Sequence, residues 1–207
     1  MSITGKHFPS HVPMTSDTTT RLRLFADLLR YWNATLNLIG ANDVATVWDR
    51  HIADSLQLAT LIPPGTNRAI DLGTGGGFPG LVLAIATGVA FDLIESDRRK
   101  ASFLRTAILE TAASATVHNC RIEDARVAPA PLITARALAP LPRLLPLAAR
   151  LLAPGGICLF LKGADLAEEL TEAAGDWAMV VDRLPSQTSP GGAVLRLSEL
   201  RKRETNA

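Results

Sequence analysis

The chain has 207 residues, 47% of them hydrophobic, and a formal net charge of +1. That length suits one domain with an extension, and the apolar share suffices for a sizeable core. The near-neutral balance gives no bulk signal for nucleic acid; two distant cysteines, Cys120 and Cys158, lack metal-ligand spacing and are expected as small buried hydrophobes in a reducing compartment; and no apolar run reaches membrane-spanning length.

In chain order, residues 1–16 are polar, lack a signal-peptide core and are expected to be loose. Asp17 or Ser16 caps a helix that runs to about Asn37. Its apolar positions Leu22, Phe25, Leu28, Leu29, Trp32 and Leu36 recur at helical spacing. A second helix is expected from Asp43 to Thr60, stopped by Pro63-Pro64-Gly65. These two form an N-terminal helical extension over 17–62. A core over 63–207 follows, the whole chain making one structural unit.

Strands and helices then alternate. Strands are expected at Arg68–Leu72, Ala90–Ile94, Ala115–His118, Pro131–Ala135 and Ile157–Leu161, with helices at Pro79–Ala86, Arg98–Ala113, Leu141–Leu152 and Asp165–Ala174. Pro142 and Pro146 suggest a kinked start to the third of these helices. Trp177–Leu184 and Ala193–Leu200 close the chain as two strands without a helix between them. The pattern predicts an α/β fold: a seven-stranded, mostly parallel sheet with helices on both faces and an antiparallel pair at one edge. Ligands in such sheets sit at the C-terminal strand ends. Asp71, Glu95, the 120–125 loop, Arg136 and Lys162 all fall there.

Ala69-Ile70-Asp71-Leu72-Gly73-Thr74-Gly75-Gly76-Gly77-Phe78-Pro79-Gly80 reads as a buried strand, a glycine loop and a helix start. Alternating Gly73, Gly75 and Gly77 permit a sharp turn with the main chain close to a ligand. Asp71 can hydrogen-bond the loop or, through water, a cofactor ammonium. Glu95, at the end of the second strand, can accept from both hydroxyls of a ribose. Gly75 to Gly80 also fits the dinucleotide fingerprint G-x-G-x-x-G, so a nicotinamide-dependent oxidoreductase is a rival reading. The acid followed by three alternating glycines favours S-adenosyl-L-methionine. So does Phe78-Pro79, which puts bulk and a missing N–H where a pyrophosphate needs free amides.

Several motifs occur together: Trp32-Asn33, Asn37-Leu38, Arg50-His51-Ile52-Ala53-Asp54-Ser55, the glycine loop, Thr134-Ala135-Arg136-Ala137 and Leu161-Lys162-Gly163. In this order they resemble the RsmG family, also called glucose-inhibited division protein B, over roughly Trp32 to Lys162. Ala34 and Ile39 depart from its pattern, where many relatives carry lysine and threonine. Glu95 replaces the commoner aspartate.

The resemblance implies a Rossmann-like class I methyltransferase of the bacterial cytoplasm, using S-adenosyl-L-methionine to methylate guanine N7 in 16S ribosomal RNA. The implied partner is that RNA or the small ribosomal subunit; no membrane is expected, and the lack of a coiled coil or an extra hydrophobic arm points to a monomer. It implies cofactor contacts at Gly73 and Phe78, at Ile122 and Glu123 beside the adenine, and at Arg136 near the methionine part and the acceptor. Guanine N7 carries a lone pair and no proton, so no acid or base residue is expected. Arg136 and Lys162 are candidates for positioning. No metal is implied.

Other residues are read more blandly. His51 is expected to hold its helix against the glycine loop through Asp54 or Ser55. Phe25, Trp32 and Trp48 are expected in the core. Between Arg121 and Lys162 six basic residues stand against two acidic ones, either as solvated faces or as an RNA-facing patch.

Overall fold

The computed structural model describes residues 14–204, so the expectation for the first thirteen lies outside the described residues. Helix α1 spans Ser16–Leu36. Its cap is Thr15, whose hydroxyl oxygen accepts from the Thr18 N–H at 3.1 Å, and not Ser16 or Asp17. Asn37 ends it in the left-handed region at φ 49°, and Asn33 Oδ1 then accepts the Ile39 N–H at 2.9 Å. Leu22, Phe25, Ala26 and Leu29 form its buried stripe.

The expected second helix is broken. A short 3-10 turn at Ala41–Asp43 is followed by a wide, i→i+5 turn at Trp48–Ala53, one α-helical turn at Asp54–Leu56 (α2) and a further 3-10 turn at Ala59–Leu61. β-branched Val44, Thr46 and Val47 give its start poor helix propensity. The wide turn lets Val47 and Ile52 both bury.

The remaining elements are β1 Arg68–Leu72, α3 Gly80–Thr87, β2 Ala90–Ile94, α4 Arg98–Thr111, β3 Ala115–His118, β4 Ala130–Arg136, α5 Leu141–Leu151, β5 Leu152–Lys162, α6 Leu166–Asp176, β6 Trp177–Pro185 and β7 Ala193–Lys202. They build one seven-stranded sheet in the order β3-β2-β1-β4-β5-β7-β6. The first five strands are parallel, and β7 is antiparallel to both neighbours. The closing strands do pair, with β7 inserted next to β5 and β6 at the edge. β5 begins earlier than expected: Ala130 pairs with Leu152 and Leu132 with Ile157, so the Pro154-Gly155-Gly156 turn survives as a bulge within the strand. Pro142 sits in the first turn of α5 and Pro146 inside it.

Two apolar layers flank the sheet, as the alternating sides of a strand require. Phe91 and Leu93 join α1, α3 and α4 on one face, whereas Ile70, Leu72, Ile133 and Phe160 join α5 and α6 on the other. α1 belongs to the first layer: Phe25 meets Phe78 edge-on at 5.5 Å, and Trp32 lies 6.0 Å from Phe103. The aromatic trio is thus core, with Phe25 fully buried and Trp32 and Trp48 partly so. Among the described residues, no helix is long and apolar enough to cross a membrane.

Candidate functional site

The glycine loop leaves β1 at the C-terminal edge of the sheet. Asp71, one residue before the end of β1, is completely buried. Its Oδ2 accepts the Gly80 N–H at 3.1 Å, and its Oδ1 accepts the Thr134 hydroxyl at 2.6 Å. It therefore ties the start of α3 to β4. Burial pushes its carboxyl up to about 6, against the pull of hydrogen-bond donors around it, Thr134 first. Gly80 is required by close approach: an added Cβ would stand 2.5 Å from Asp71 Cβ and 2.7 Å from Leu93 Cδ2. Gly73, Gly75 and Gly77 all have positive φ, at 60°, 57° and 97°. At Gly73 the bare backbone is covered by Leu138, whose Cδ1 lies 2.5 Å from where a Cβ would be.

Glu95 stands at the end of β2, 8% exposed. Oε2 accepts the Gly75 N–H at 2.9 Å and Oε1 the Asp97 N–H at 2.7 Å. The side chain so joins the glycine loop to the entry of α4. Asp97 caps that helix, accepting from the Arg99 and Lys100 N–H groups, which hold its carboxyl below the usual range. Asn119 adds a link sequence reasoning missed, donating to Glu95 O at 2.8 Å and Ser96 O at 3.1 Å.

Ile122 is buried and Glu123 exposed, on a 3-10 turn beyond β3. This turn is held by Arg150, whose guanidinium donates to the carbonyls of Ile122 and Ala125. Nothing in the sequence marks Arg150 for this work beyond its place in the last turn of α5.

Arg136 and His51 meet over Phe78. The Arg136 guanidinium lies 4.8 Å from the Phe78 ring centroid, and the His51 ring 5.0 Å from it. The Phe78 side chain itself is only 3% exposed and packs inward on Phe25. Arg136 Nη1 reaches Asp54 Oδ2 at 3.3 Å and the Arg50 carbonyl at 3.4 Å. Burial draws its pKa down, with Asp54 opposing. His51 Nε2 lies 3.3 Å from Asp43 Oδ2, at an angle that makes no hydrogen bond. Burial, then Arg136, lower its pKa. Its carboxylate neighbour is thus Asp43, while Ser55 touches only its backbone, donating to His51 O at 2.7 Å.

Lys162 is part of a half-buried clamp. Its Nζ lies 2.6 Å from Glu169 Oε2 and donates to Ala139 O at 3.0 Å, while the same Glu169 oxygen accepts the Leu141 N–H at 2.8 Å. β5, α6 and the loop before α5 meet there. Of the six basic residues from Arg121 to Lys162, Arg136, Arg150 and Lys162 are therefore engaged internally, while Arg121, Arg126 and Arg143 are exposed.

A cleft of about 490 Å³ is bounded by Asp54, Arg136, Lys162, Ser186, Ala193 and Leu138, the residue that covers Gly73. A second, of about 270 Å³, shares Asp54 and Arg136 with it and adds Arg50, His51 and Thr188. The 186–192 turn walls both. Cys158 is buried and Cys120 half-buried, both free. Among the described residues no cluster of side chains could hold a metal.

These residues fit a bound S-adenosylmethionine. Above Gly75 an added Cβ would meet nothing nearer than Gly73 O at 3.9 Å, so the main chain is open to a ligand. Thr74 Oγ1 is buried in the loop without a hydrogen-bond partner. Both Glu95 oxygens keep a spare lone pair for hydroxyl donors.

The model of the GidB family, described as rRNA small subunit methyltransferase G, matches residues 18–189. A protein named ribosomal RNA small subunit methyltransferase G from Acidiphilium cryptum is 58% identical over 87% of this chain and 85% of its own length. One of the same name from Rhodospirillum centenum is 51% identical over 98% of this chain and 94% of its own. Among solved structures, an O-methyltransferase from Bacillus cereus in complex with SAH superposes with a TM-score of 0.57 at 15% identity, covering 92% of this chain and 94% of that one. The tRNA methyltransferase TrmI from Aquifex aeolicus gives 0.53 at 19%, over 73% and 69%. At such identities these two show the fold: a Rossmann-like methyltransferase core.

Proposed function

The chain belongs to the GidB family, rRNA small subunit methyltransferase G, and from that premise we propose that it methylates N7 of a guanine in 16S ribosomal RNA. Bound in the glycine loop, S-adenosylmethionine supplies an electrophilic methyl group on a sulfonium. One arrangement supports the reading most: Asp71 fixes the end of the loop at Gly80 and Glu95 its middle at Gly75, while Leu138, which covers Gly73, lines a cleft that also contains Arg136. The nicotinamide alternative loses its footing here, because Pro79 has no N–H and the Gly80 N–H is already given to Asp71.

The residues divide the work. Gly73, Gly75 and Glu95 hold the nucleoside half of the cofactor, with the Arg150-braced turn at Ile122 and Glu123 walling the adenine. Phe78 contributes as the platform on which Arg136 and His51 rest. Arg136 faces the junction of cofactor and acceptor. Lys162 acts at one remove, fixing the 137–140 loop that carries Leu138 over Gly73. No side chain is needed to take a proton from N7, so the rate comes from holding nucleophile and methyl in line at near-attack distance. The protein works as a monomer in the bacterial cytoplasm, where its substrate is assembled.

The test is direct. Small subunits from cells lacking the protein are incubated with it and labelled S-adenosylmethionine, and the digested RNA is resolved. Label in 7-methylguanosine is expected. Label in another nucleoside, or none despite cofactor binding, overturns the acceptor.

A further inference from the structure

Asp54 holds an unusual place in the larger cleft and the smaller one: it lines both, and its side chain is 14% exposed. Three elements converge on it. Thr188, from the turn between β6 and β7, donates its hydroxyl to Oδ1 at 2.6 Å, and Gln57 Nε2 donates to the same oxygen at 2.8 Å. Gln57 Oε1 in turn accepts the Gln187 N–H at 3.1 Å, which pins the turn to the 48–57 segment. Oδ2 is held more loosely. Its partner is Arg136 through a single nitrogen at 3.3 Å, long for a charge-assisted bond. One carboxylate oxygen is thus fixed by two donors while the other keeps acceptor capacity beside the cleft.

The other carboxylates of the cleft are differently disposed. Glu169 is committed to Lys162 and the Leu141 N–H, and Asp165 is exposed at the start of α6. A carboxylate anchored by its neighbours, with a free lone pair in a half-enclosed site, suits a planar ligand that offers N–H donors.

Resting on the reaction above, we propose that Asp54 reads the acceptor base, its Oδ2 accepting a hydrogen bond from the exocyclic N2–H of guanine. The edge bearing this donor lies across the purine from N7. Asp54 lines the same cleft as Leu138, the residue that covers Gly73 of the glycine loop. Adenine has an acceptor at N1 and no donor at C2, so the same carboxylate rejects it; unpaired RNA bases are commonly read on this edge. The contact also serves the chemistry. As the methyl moves to N7, the pair of electrons that held it stays on sulfur and the guanine gains a positive charge. The exocyclic N2–H then becomes a stronger donor, and its bond to a fixed carboxylate tightens in the transition state.

The test separates this role from the hold on Arg136 and Thr188. Subunit RNA is prepared with guanosine or inosine at the methylated position, inosine lacking only the 2-amino group, and initial rates are compared. Wild-type protein is expected to prefer guanosine by about tenfold, the effect of one lost hydrogen bond to a charged group. Asp54→Asn is expected to be slower overall and to narrow that preference to within about twofold. Asp54→Glu, which keeps the carboxylate, is expected to keep the preference at a reduced rate. Equal wild-type rates on the two RNAs would overturn the assignment without any variant, and so would an unchanged preference in Asp54→Asn. Failure of the wild type to methylate guanosine RNA would instead overturn the function itself.

Discussion

Asp71 makes the protein's stability depend on pH in a direction opposite to that of most carboxylates. Its carboxyl is raised by burial to about 6 from a reference value of 3.8. The folded state thus binds a proton that the unfolded chain has already released. The favourable contribution is full below the unfolded value and is lost as pH rises towards the folded one. At about 1.36 kcal/mol per unit, the whole effect is about 3 kcal/mol, of which about 2 kcal/mol falls between roughly pH 4.5 and pH 7.5. Asp71→Asn removes the titration. Its amide oxygen can accept the Gly80 N–H, while its NH2 can face the Thr134 hydroxyl oxygen. The assay is urea denaturation of wild type and variant at these two pH values. Other titrating groups are common to both proteins and cancel in the difference. The wild type is expected to lose about 2 kcal/mol relative to Asp71→Asn on going to the higher pH. A constant difference, or one that changes in favour of the wild type, would show that Asp71 stays ionised in its buried site.

Three further outcomes are expected. Lys162→Met leaves Glu169 partly buried with only the Leu141 N–H as partner, and should cost about 3–5 kcal/mol in denaturation; adding Glu169→Gln should restore most of it, and a single-variant loss below about 1 kcal/mol would mean that solvent screens the pair. Gly73→Ala places a Cβ at φ 60° against Leu138 Cδ1, so stability should fall by about 1–2 kcal/mol. Calorimetry should also show weaker S-adenosylmethionine binding, and unchanged affinity would remove Gly73 from the pocket. Arg150→Ala frees the carbonyls of Ile122 and Ala125, and should weaken cofactor binding several-fold with little change in melting temperature; an unaltered Kd would show the turn to be self-supporting.

The parallel core was legible because its strands are short apolar runs between strong turn signals. Arg68–Leu72, Ala90–Ile94 and Ala115–His118 have the bounds their sequences predict. The 43–60 segment was not. Its apolar spacing tolerates a helix, but one extra residue per turn at Trp48–Ala53 lets Ile52 bury while Asp54 meets Arg136. Periodicity averages over such an insertion. In the site, the identity of the residues at the strand ends was legible and their partners were not. Lys162 and Glu169 are seven apart on different elements, and only the packing of α6 beside β5 brings them to 2.6 Å. Glu95 shows the same gap. Its position pointed to a ribose, whereas the structure first has it holding Gly75 and Asp97, a duty that depends on loop conformation.

The N-terminal helix precedes the glycine loop and the alternating core in sequence, and it packs against both. A Cβ at Gly77 would stand 3.2 Å from Phe25 Cζ, and one at Gly76 would stand 3.3 Å from Leu38 O and 3.5 Å from Leu29 Cδ1. The floor of the glycine loop is therefore α1 and the residues that follow it. Phe78 links this floor to the cleft that contains Arg136, with Phe25 against one part of its ring and Arg136 and His51 over another. Arg21 closes the far end, donating to the carbonyls of Thr111 and Ala112 where α4 stops. A sheet and glycine loop without α1 would expose Phe78, Phe103 and Leu81 to water and leave the loop without its lower wall. The extension thus holds the glycine loop and the arginine of the cleft in a fixed relation, and such a relation is what the proposed in-line transfer requires.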